Sequence, residues 1–289
     1  MAQTNLAWES KAVLLIVLPF AGAEVVLDAH HWTAHSPSFA LWTLVLSAVL
    51  GLGTLILRAA TPSAAATGAV ITADLMFSTA TYPYEPGRTA LIPVLAVFLL
   101  AFATTRVGRR KKERLGTAER RMGRTAAQVA ANLGLAALVT SGLARAWVDG
   151  NNGLVHSAAI PFPLFAVGLA ALAEAAADTV SSEMGQVLGG RPRMITTLGI
   201  VEPGRDGAIS LAGSLAGILA AGVVAAAGVE AVRGGLIMFW IAWAGGVFGL
   251  FFDSLLGATL ETRGLLNNDA VNFLSTAAAA ALALALLAR

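Results

Sequence analysis

Long apolar segments alternate with short polar segments along nearly the whole chain. A membrane-spanning helix needs about 20 mostly apolar residues, and nine segments come close to or exceed that length. They cover residues 11–27, 38–57, 64–81, 89–105, 125–147, 153–180, 208–228, 235–256 and 269–287. The pattern therefore predicts an all-α fold, a polytopic membrane helix bundle with about nine transmembrane helices.

The seventh of these segments carries small residues at helical spacing. Ser210, Gly213, Ser214 and Gly217 fall on one face of a helix over residues 208–228. Small residues let two membrane helices approach closely, so this face is expected to pack against a neighbouring helix.

Composition supports the membrane assignment. Of the 289 residues, 57% are hydrophobic and 12% are charged, whereas a soluble domain usually carries about 25% charged residues. The mean hydropathy is +0.74. The chain contains no cysteine, which excludes disulfides and thiolate metal sites. No soluble domain separates from the apolar segments, so residues 1–289 are predicted to form a single integral-membrane domain.

Positive charge is concentrated in residues 106–124, which hold nine of the 19 lysines and arginines. In a soluble protein such a run would suggest nucleic acid binding, but between two spans the positive-inside rule explains it. We therefore predict a basic cytoplasmic loop and no nucleic acid partner. Four spans precede this loop, which places the N-terminus in the cytoplasm, and 15 of the 19 basic residues then lie on that side.

An unusually polar stretch occupies residues 173–209. Acids end an apolar helix, and a basic, glycine-rich loop then leads into the next helix. Acids can hold a cation, while arginines and the free N–H groups at a helix start can hold phosphate. Residues 181–207 and 257–268 are therefore the candidate active-site loops, and both are cytoplasmic in the predicted topology. The competing interpretation is a solvated loop between two membrane helices.

The absence of several catalytic motifs and the side chains that remain limit the reactions that this protein could catalyse. The sequence contains no GxxxxGK[ST], GxSxG or HExxH motif, and its four histidines lie in or near predicted outer loops. Carboxylates, amides and arginines remain for a cytoplasmic site. This inventory suits magnesium-assisted phosphoryl or nucleotidyl transfer, in which catalysis consists mostly of positioning and charge neutralisation.

Three acids are the candidate catalytic and metal-binding residues. Magnesium uses one or two carboxylates and completes its shell with water and phosphate oxygens. Asp178, near the end of the sixth span, and Asp253, at the matching end of the eighth, are the first choice of ligands. Glu183 is expected to be a third ligand or a base. Alternatively, these are helix-end acids hydrogen-bonded to neighbouring spans.

Arginines and amides near these acids are candidates for binding phosphate or nucleotide. Arginine can bind phosphate through two parallel hydrogen bonds. The alternatives are topogenic charge for the arginines and interhelical hydrogen bonding for the amides. The candidates are Arg124, Arg191, Arg193, Arg205, Gln128, Asn132, Asn268 and Asn272.

Five segments of the C-terminal two-thirds resemble a known integral-membrane family. That family includes the plant and cyanobacterial phytyl-phosphate kinases and an animal relative known as transmembrane protein nineteen. Two positions depart from its usual pattern: Glu261, where glutamine is usual, and Val180, where an aromatic residue is common. The matching segments are RTAAQVAAN (124–132), ADTVSSEMG (177–185), RPRMITTLGIVEPGRDGAIS (191–210), DSLLGATLE (253–261) and NDAVNFLST (268–276).

The resemblance implies transfer of a phosphate from a nucleoside triphosphate, often CTP, to a membrane-bound isoprenoid monophosphate such as phytyl or geranylgeranyl phosphate. The product would be the diphosphate. The expected partners are that lipid, the nucleotide, Mg²⁺ and surrounding membrane lipids, while a monomer and a homodimer both stay open. The expected location is a bacterial inner membrane, with the site facing the cytoplasm. Within the matching segments, further candidate substrate- or phosphate-binding residues are Ser182, Thr197, Gly204, Gly207, Ser254 and Asp269.

Two other functional classes fit parts of the sequence. A CTP-dependent lipid nucleotidyltransferase, which makes a CDP-lipid and releases pyrophosphate, could use much the same acids and arginines. A transporter or flippase could use Asp74, Glu174 and Asp178 as intramembrane acids on an ion path. A transport path needs polar residues through the depth of the membrane, whereas a kinase site gathers them at one face.

Overall fold

The computed structural model describes residues 6–117, 123–150 and 163–288. The start of the predicted sixth span and the middle of the basic segment 106–124, called the basic block from here on, lie outside these ranges. The described residues form a bundle of eleven α-helices, which confirms the predicted all-α membrane fold. The helices are α1 Trp8–His35, α2 Pro37–Ile56, α3 Pro62–Ser78, α4 Leu91–Arg106, α5 Arg109–Leu115, α6 Ala126–Thr140, α7 Gly142–Gly150, α8 Pro163–Leu188, α9 Leu211–Val232, α10 Leu236–Leu256 and α11 Asn268–Leu287.

The remaining regular elements are short. A 3₁₀ turn covers Pro86–Arg88, and a π-helical turn over Gly257–Glu261 extends α10. Strands β1 (Arg193–Met194) and β2 (Ala208–Ile209) form an antiparallel pair that closes the loop between α8 and α9. Residues 181–188 belong to α8, so the candidate loop predicted from residue 181 begins only at residue 189.

Six helices are long and apolar enough to cross a membrane, or up to eight within the described residues if each bent helix pair is one span. The bent pairs are α4 with α5, at 68°, and α6 with α7, at 44°. Helix α3 has only 17 residues, or about 26 Å at 1.5 Å per residue, which is shorter than a typical hydrocarbon core. The count of nine spans and the side of the N-terminus stay predictions.

Helix α8 forms the centre of the bundle. In its most apolar stretch 83% of residues are buried, against 22–44% in the other five long spans. Helices α4, α6, α9, α10 and α11 surround it, and α1, α2 and α3 form an outer group that packs onto it through α6. Leucines exposed on the outside, such as Leu15, Leu219 and Leu236, provide the apolar surface that lipid solvates.

Close packing of α9 against α8 depends on glycine, as the small-residue pattern predicted. A Cβ atom on Gly213 would lie 2.7 Å from the Ser181 carbonyl oxygen, and one on Gly217 would lie 2.7 Å from the Ala177 carbonyl oxygen. These separations are too short for a methyl group. The glycines therefore set the distance between the two helices.

Gly217→Ala is expected to lower the thermal unfolding temperature of the detergent-purified protein. The added methyl group would push α9 away from α8, at a cost of about 1–3 kcal/mol for overpacking a core. Gly53→Ala on α2 is the matched control, because nothing lies within 4 Å of a Cβ atom there. That control should be neutral or stabilising, since alanine is the better helix former. Equal effects of the two changes would contradict the packing role of Gly217.

Candidate active site

A polar cavity of about 360 Å³ lies where several helix ends meet. The C-terminal ends of α8 and α10 contribute acids to it, and the N-terminal ends of α6 and α11 contribute amides. The loop between α8 and α9 covers one side. Four helix ends and one loop, drawn from residues 117–272, therefore form one pocket.

Most of the residues singled out from sequence line this cavity. Those it brings together are Arg124, Gln128, Asn132, Asp178, Ser182, Glu183, Gly204, Arg205, Gly207, Asp253, Ser254, Asn268 and Asn272. Four candidates do not line it, namely Arg191, Arg193, Thr197 and Asp269.

Those four have other environments. Arg191 is exposed, and Arg193 donates a hydrogen bond to the Leu198 carbonyl at 2.7 Å within its own hairpin. Thr197 is exposed and accepts a hydrogen bond from the Gly199 N–H at 3.3 Å. Asp269 accepts a hydrogen bond from the Ser10 hydroxyl, which ties the start of α11 to α1. A role in holding loops and helix ends fits these contacts better than phosphate binding.

Asp178 of α8 and Asp253 of α10 lie beside each other in the cavity lining, within hydrogen-bonding reach. The Oδ2 atom of Asp253 is buried and has no hydrogen-bond partner among the described residues. One turn deeper on α8, Oε1 of the buried Glu174 also lacks such a partner. Buried carboxylate oxygens are costly unless a proton, donor or cation satisfies them. Two facing carboxylates beside a polar cavity fit a magnesium ion, which needs one or two such ligands.

Glu183 is held by the basic block. Its Oε1 accepts a hydrogen bond from the Thr105 hydroxyl at 3.2 Å, and its Oε2 forms an ion pair with Lys112. Lys112 is only 1% exposed and also donates to the Thr104 carbonyl at 2.8 Å. Because both carboxylate oxygens are engaged, Glu183 is less suited to the ligand or base role expected from sequence than Asp178 and Asp253.

Arg124 is positioned by its backbone. Its N–H donates to the Ala59 carbonyl at 2.9 Å, and its carbonyl accepts from the Thr61 N–H at 3.0 Å. Gly123 makes this approach feasible, because with φ of +75° its Cβ position would lie 2.2 Å from the Ala59 carbonyl carbon. The guanidinium donates to the Thr179 hydroxyl at 3.1 Å, one residue from Asp178. The connection between α2 and α3 therefore holds Arg124 beside the acids.

The amides at the start of α6 have partly structural roles. Gln128 forms a capping box with Thr125, in which its Oε1 accepts from the Thr125 N–H at 2.8 Å. The Asn132 Nδ2 donates to the Gln128 carbonyl at 2.7 Å. Both side chains line the cavity on one helix face, as their spacing of four residues predicted.

Two glycines allow the loop between α8 and α9, residues 189–210 and called the central loop from here on, to pack against the rest of the site. Gly207, with φ of +75°, leaves no room for a Cβ atom, which would lie 2.4 Å from the backbone nitrogen of Ala258 in the π-helical turn. A Cβ atom on Gly204 would lie 2.4 Å from a methyl carbon of Thr117. These contacts place Arg205 and Asp206 at the cavity.

Several cavity residues are not among the candidates chosen from sequence. Asp206 and Glu261 add two acids to the lining, and Thr117 donates a hydrogen bond to Gln186 at 2.6 Å on another wall. Glu261 could have been chosen from sequence, because it stands where the related family usually has glutamine. Nothing in the sequence marks Thr117, because it follows a basic segment that the positive-inside rule already explains.

A second acid group lies away from this cavity. Glu24 and Asp28 of α1 and Asp74 of α3 place one carboxylate oxygen each within 4.8 Å of one another. Glu24 accepts from the Gly142 N–H at 3.2 Å, and Asp74 accepts from the Ser78 hydroxyl at 3.4 Å. None of the three acids lines the cavity that holds Asp178 and Asp253.

Gly207→Ala is expected to loosen the central loop, because the new methyl group would collide with backbone atoms of the π-helical turn. Limited trypsin digestion of the detergent-purified protein, followed at Arg193 and Arg205, should become several-fold faster. Gly190→Ala is the matched control, since Gly190 also has a positive φ, of +62°, but nothing within 4 Å of its Cβ position. Faster cleavage in both variants alike would trace the effect to backbone strain and not to the lost contact.

Comparisons with known proteins identify the family. The family model described as Integral membrane protein DUF92 matches residues 45–280. The uncharacterized membrane protein sll0875 of Synechocystis sp. is 34% identical over 204 residues, which cover 68% of this chain and 74% of that protein. No solved structure matches the chain.

Two further relatives match over shorter parts of their length. The protein VTE6, chloroplastic, of Arabidopsis thaliana is 30% identical over 193 residues, which are 65% of this chain and 56% of that protein. The uncharacterized membrane protein MJ0933 of Methanocaldococcus jannaschii is 42% identical over 108 residues, or 37% of this chain and 45% of that protein. The chain thus spans about half the length of these two relatives. With the family model matching most of its length, the chain belongs to the integral membrane protein DUF92 family, which confirms the family resemblance drawn from its motifs.

Proposed function

We propose that this protein is an isoprenoid phosphate kinase. It transfers the γ-phosphate of a nucleoside triphosphate, with CTP favoured, to a membrane isoprenoid monophosphate such as phytyl or geranylgeranyl phosphate. The observation that carries this proposal is the convergence of Asp178, Asp253, Arg124 and Arg205 on one polar cavity. The motif resemblance to phytyl-phosphate kinases supports the same reaction. We place the protein in a bacterial inner membrane with the cavity facing the cytoplasm, where nucleotides are available.

In the proposed reaction an oxygen of the lipid monophosphate attacks the γ-phosphorus of the nucleotide. The bond between that phosphorus and the β–γ bridging oxygen breaks, and the nucleoside diphosphate leaves. The carboxylates of Asp178 and Asp253 would hold Mg²⁺, which would neutralise charge on the phosphate oxygens. Little covalent chemistry is left for the protein, because phosphoryl transfer relies on positioning and charge stabilisation.

Arg124 and Arg205 would bind the phosphates of different substrates. Arg124 is half-buried beside Thr179 and fixed by the α2–α3 connection, which suits the lipid phosphate at the membrane. Arg205 lies on the exposed central loop, which suits a nucleotide that arrives from water. Asn268 and Asn272 line the α11 side of the cavity, within reach of the same phosphates.

The nucleotidyltransferase alternative could use the same cavity, because it needs the same charges. The two reactions differ in the bond that breaks: between the β and γ phosphates for the kinase, and between α and β for nucleotidyl transfer. The transporter alternative draws on a different observation, the group of Glu24, Asp28 and Asp74 in the outer helices.

The kinase proposal predicts that label from γ-labelled CTP moves into a lipid diphosphate. Purified protein with Mg²⁺ and phytyl or geranylgeranyl phosphate should show this transfer, and Asp253→Asn should lower kcat/KM by at least about 100-fold. Asp149→Asn on α7 is the matched control, because Asp149 is exposed and does not line the cavity. Labelled pyrophosphate with an unlabelled CDP-lipid would indicate nucleotidyl transfer. No turnover with any nucleotide or prenyl phosphate would count against both the kinase and the nucleotidyltransferase hypotheses.

Asp74→Asn is expected to leave phosphoryl transfer within about twofold of the unmodified protein. The change keeps the side-chain shape and removes one of three neighbouring carboxylates, two of which are buried, so the unfolding temperature should stay level or rise. Turnover and unfolding temperature would be measured on the same preparation. A folded Asp74→Asn protein without transfer activity would contradict the separation of the two acid groups and favour a path through both.

A further inference from the structure

A second, apolar cavity adjoins the polar one. It has a volume of about 90 Å³ and lies between α2, α3, α4 and α6. Arg124 and Asn132 line both cavities, so the two meet at the start of α6. We call the second cavity the apolar groove. A molecule with a negatively charged group against Arg124 therefore lies next to the apolar groove.

The residues that line the apolar groove are mostly small and apolar. Gly51 of α2 and Ala65 of α3 are in tight contact, since a Cβ atom on Gly51 would lie 2.9 Å from the Ala65 carbonyl oxygen. Gly68 of α3, by contrast, has only ordinary contact, with Val129 at 3.7 Å from its Cβ position. Phe98 of α4 closes the opposite side. Helix α2 packs closely against α3, whereas α4 makes few contacts with α3 and little with α2. A chain could therefore enter the groove from lipid between α2 and α4.

The shape of the groove suits one chain. Its α3 wall runs from Ala64 to Thr72, which is about 12 Å along the helix at 1.5 Å per residue. A small volume spread over that length makes a narrow slot. A slot of this volume takes the first part of one hydrocarbon chain and has no room for two chains side by side.

We propose that the apolar groove binds the hydrocarbon chain of a single-chain lipid monophosphate, with the phosphate at Arg124 and the first isoprene units between α3 and α4. This inference rests on the proposed function for the identity of the head group. It adds the position of the chain and a basis for selecting isoprenoid phosphates over phosphatidate. The two residues that line both cavities set the boundary between head group and chain.

The groove is expected to select lipids by the shape and length of their chain, and not by the free energy of moving a chain out of water. The chain enters from lipid or detergent, which is as apolar as the groove, so burying it gains little from leaving water. Extra or missing methylene groups in an apolar pocket change discrimination by about 10- to 200-fold. The effect of filling the groove should therefore depend on the length of the chain.

Gly68→Leu fills the groove from α3 and is the first test. It should lower kcat/KM for geranylgeranyl phosphate by about 10- to 200-fold. Turnover of the five-carbon dimethylallyl phosphate should fall less, because its chain occupies only the part of the groove next to Arg124. Gly53→Leu is the matched control, since Gly53 does not line the groove and has open space at its Cβ position. Ala101→Leu, which enters from α4, serves if Gly68→Leu fails to fold.

A binding measurement separates the groove from the reaction. Geranylgeranyl phosphate without nucleotide should raise the unfolding temperature of the unmodified protein and of Gly53→Leu, but not of Gly68→Leu. This pattern in a protein without transfer activity would support the groove and refute the kinase. Transfer activity with the same chain-length profile in all variants would overturn the groove and leave the kinase standing. Stronger stabilisation by dioleoyl phosphatidate, or none by either lipid, would also overturn the groove.

Discussion

Helix α8 can be surrounded on all sides only because its residues and those facing it are small. A Cβ atom on Gly245 or Gly246 of α10 would lie 2.8 Å from the Cβ atom of Ala170 or Ala173, respectively. Such contacts leave space for only one acidic side chain in the apolar part of α8, the buried Glu174, which lies against Gly249. The polar residues of α8 are therefore concentrated towards its C-terminal end, where Asp178 meets the cavity. The position of the candidate site follows from this packing constraint.

Charge compensation distinguishes the acids at that end of the bundle. Glu183 is neutralised by Lys112, a buried cation supplied by the basic block. Arg124 lies beside Asp178, one residue from its hydrogen bond to Thr179. Asp253 keeps a buried oxygen without a partner among the described residues. An acid-rich cavity would repel two phosphorylated substrates unless a cation balanced it. Under the proposed function, a divalent metal would therefore be needed for substrates to bind as well as to react.

The start of α6 connects the two halves of the proposed substrate. Arg124 and Asn132 line both the polar cavity and the apolar groove, and the contact of Gly123 with Ala59 fixes their position. An amphiphile such as a prenyl phosphate needs this arrangement, because its head group and chain require different surroundings a few ångströms apart. The outer helices α2 and α3 thus contribute to the site, although their sequences carry few polar residues.

The sequence by itself determined the membrane class, the helical segments and most of the cavity lining. Apolar runs and the placement of charge follow directly from solvation by lipid. Acids such as Asp178 and Asp253 stand out because charge is rare in this chain. The pairing of Lys112 with Glu183, the cavity positions of Thr117 and Asp206, and the exclusion of Arg193 and Asp269 were decided only by tertiary structure. These depend on contacts between distant segments, whose geometry no local pattern encodes. The apolar groove could not be predicted for the same reason, since its shape depends on how four helices pack against one another.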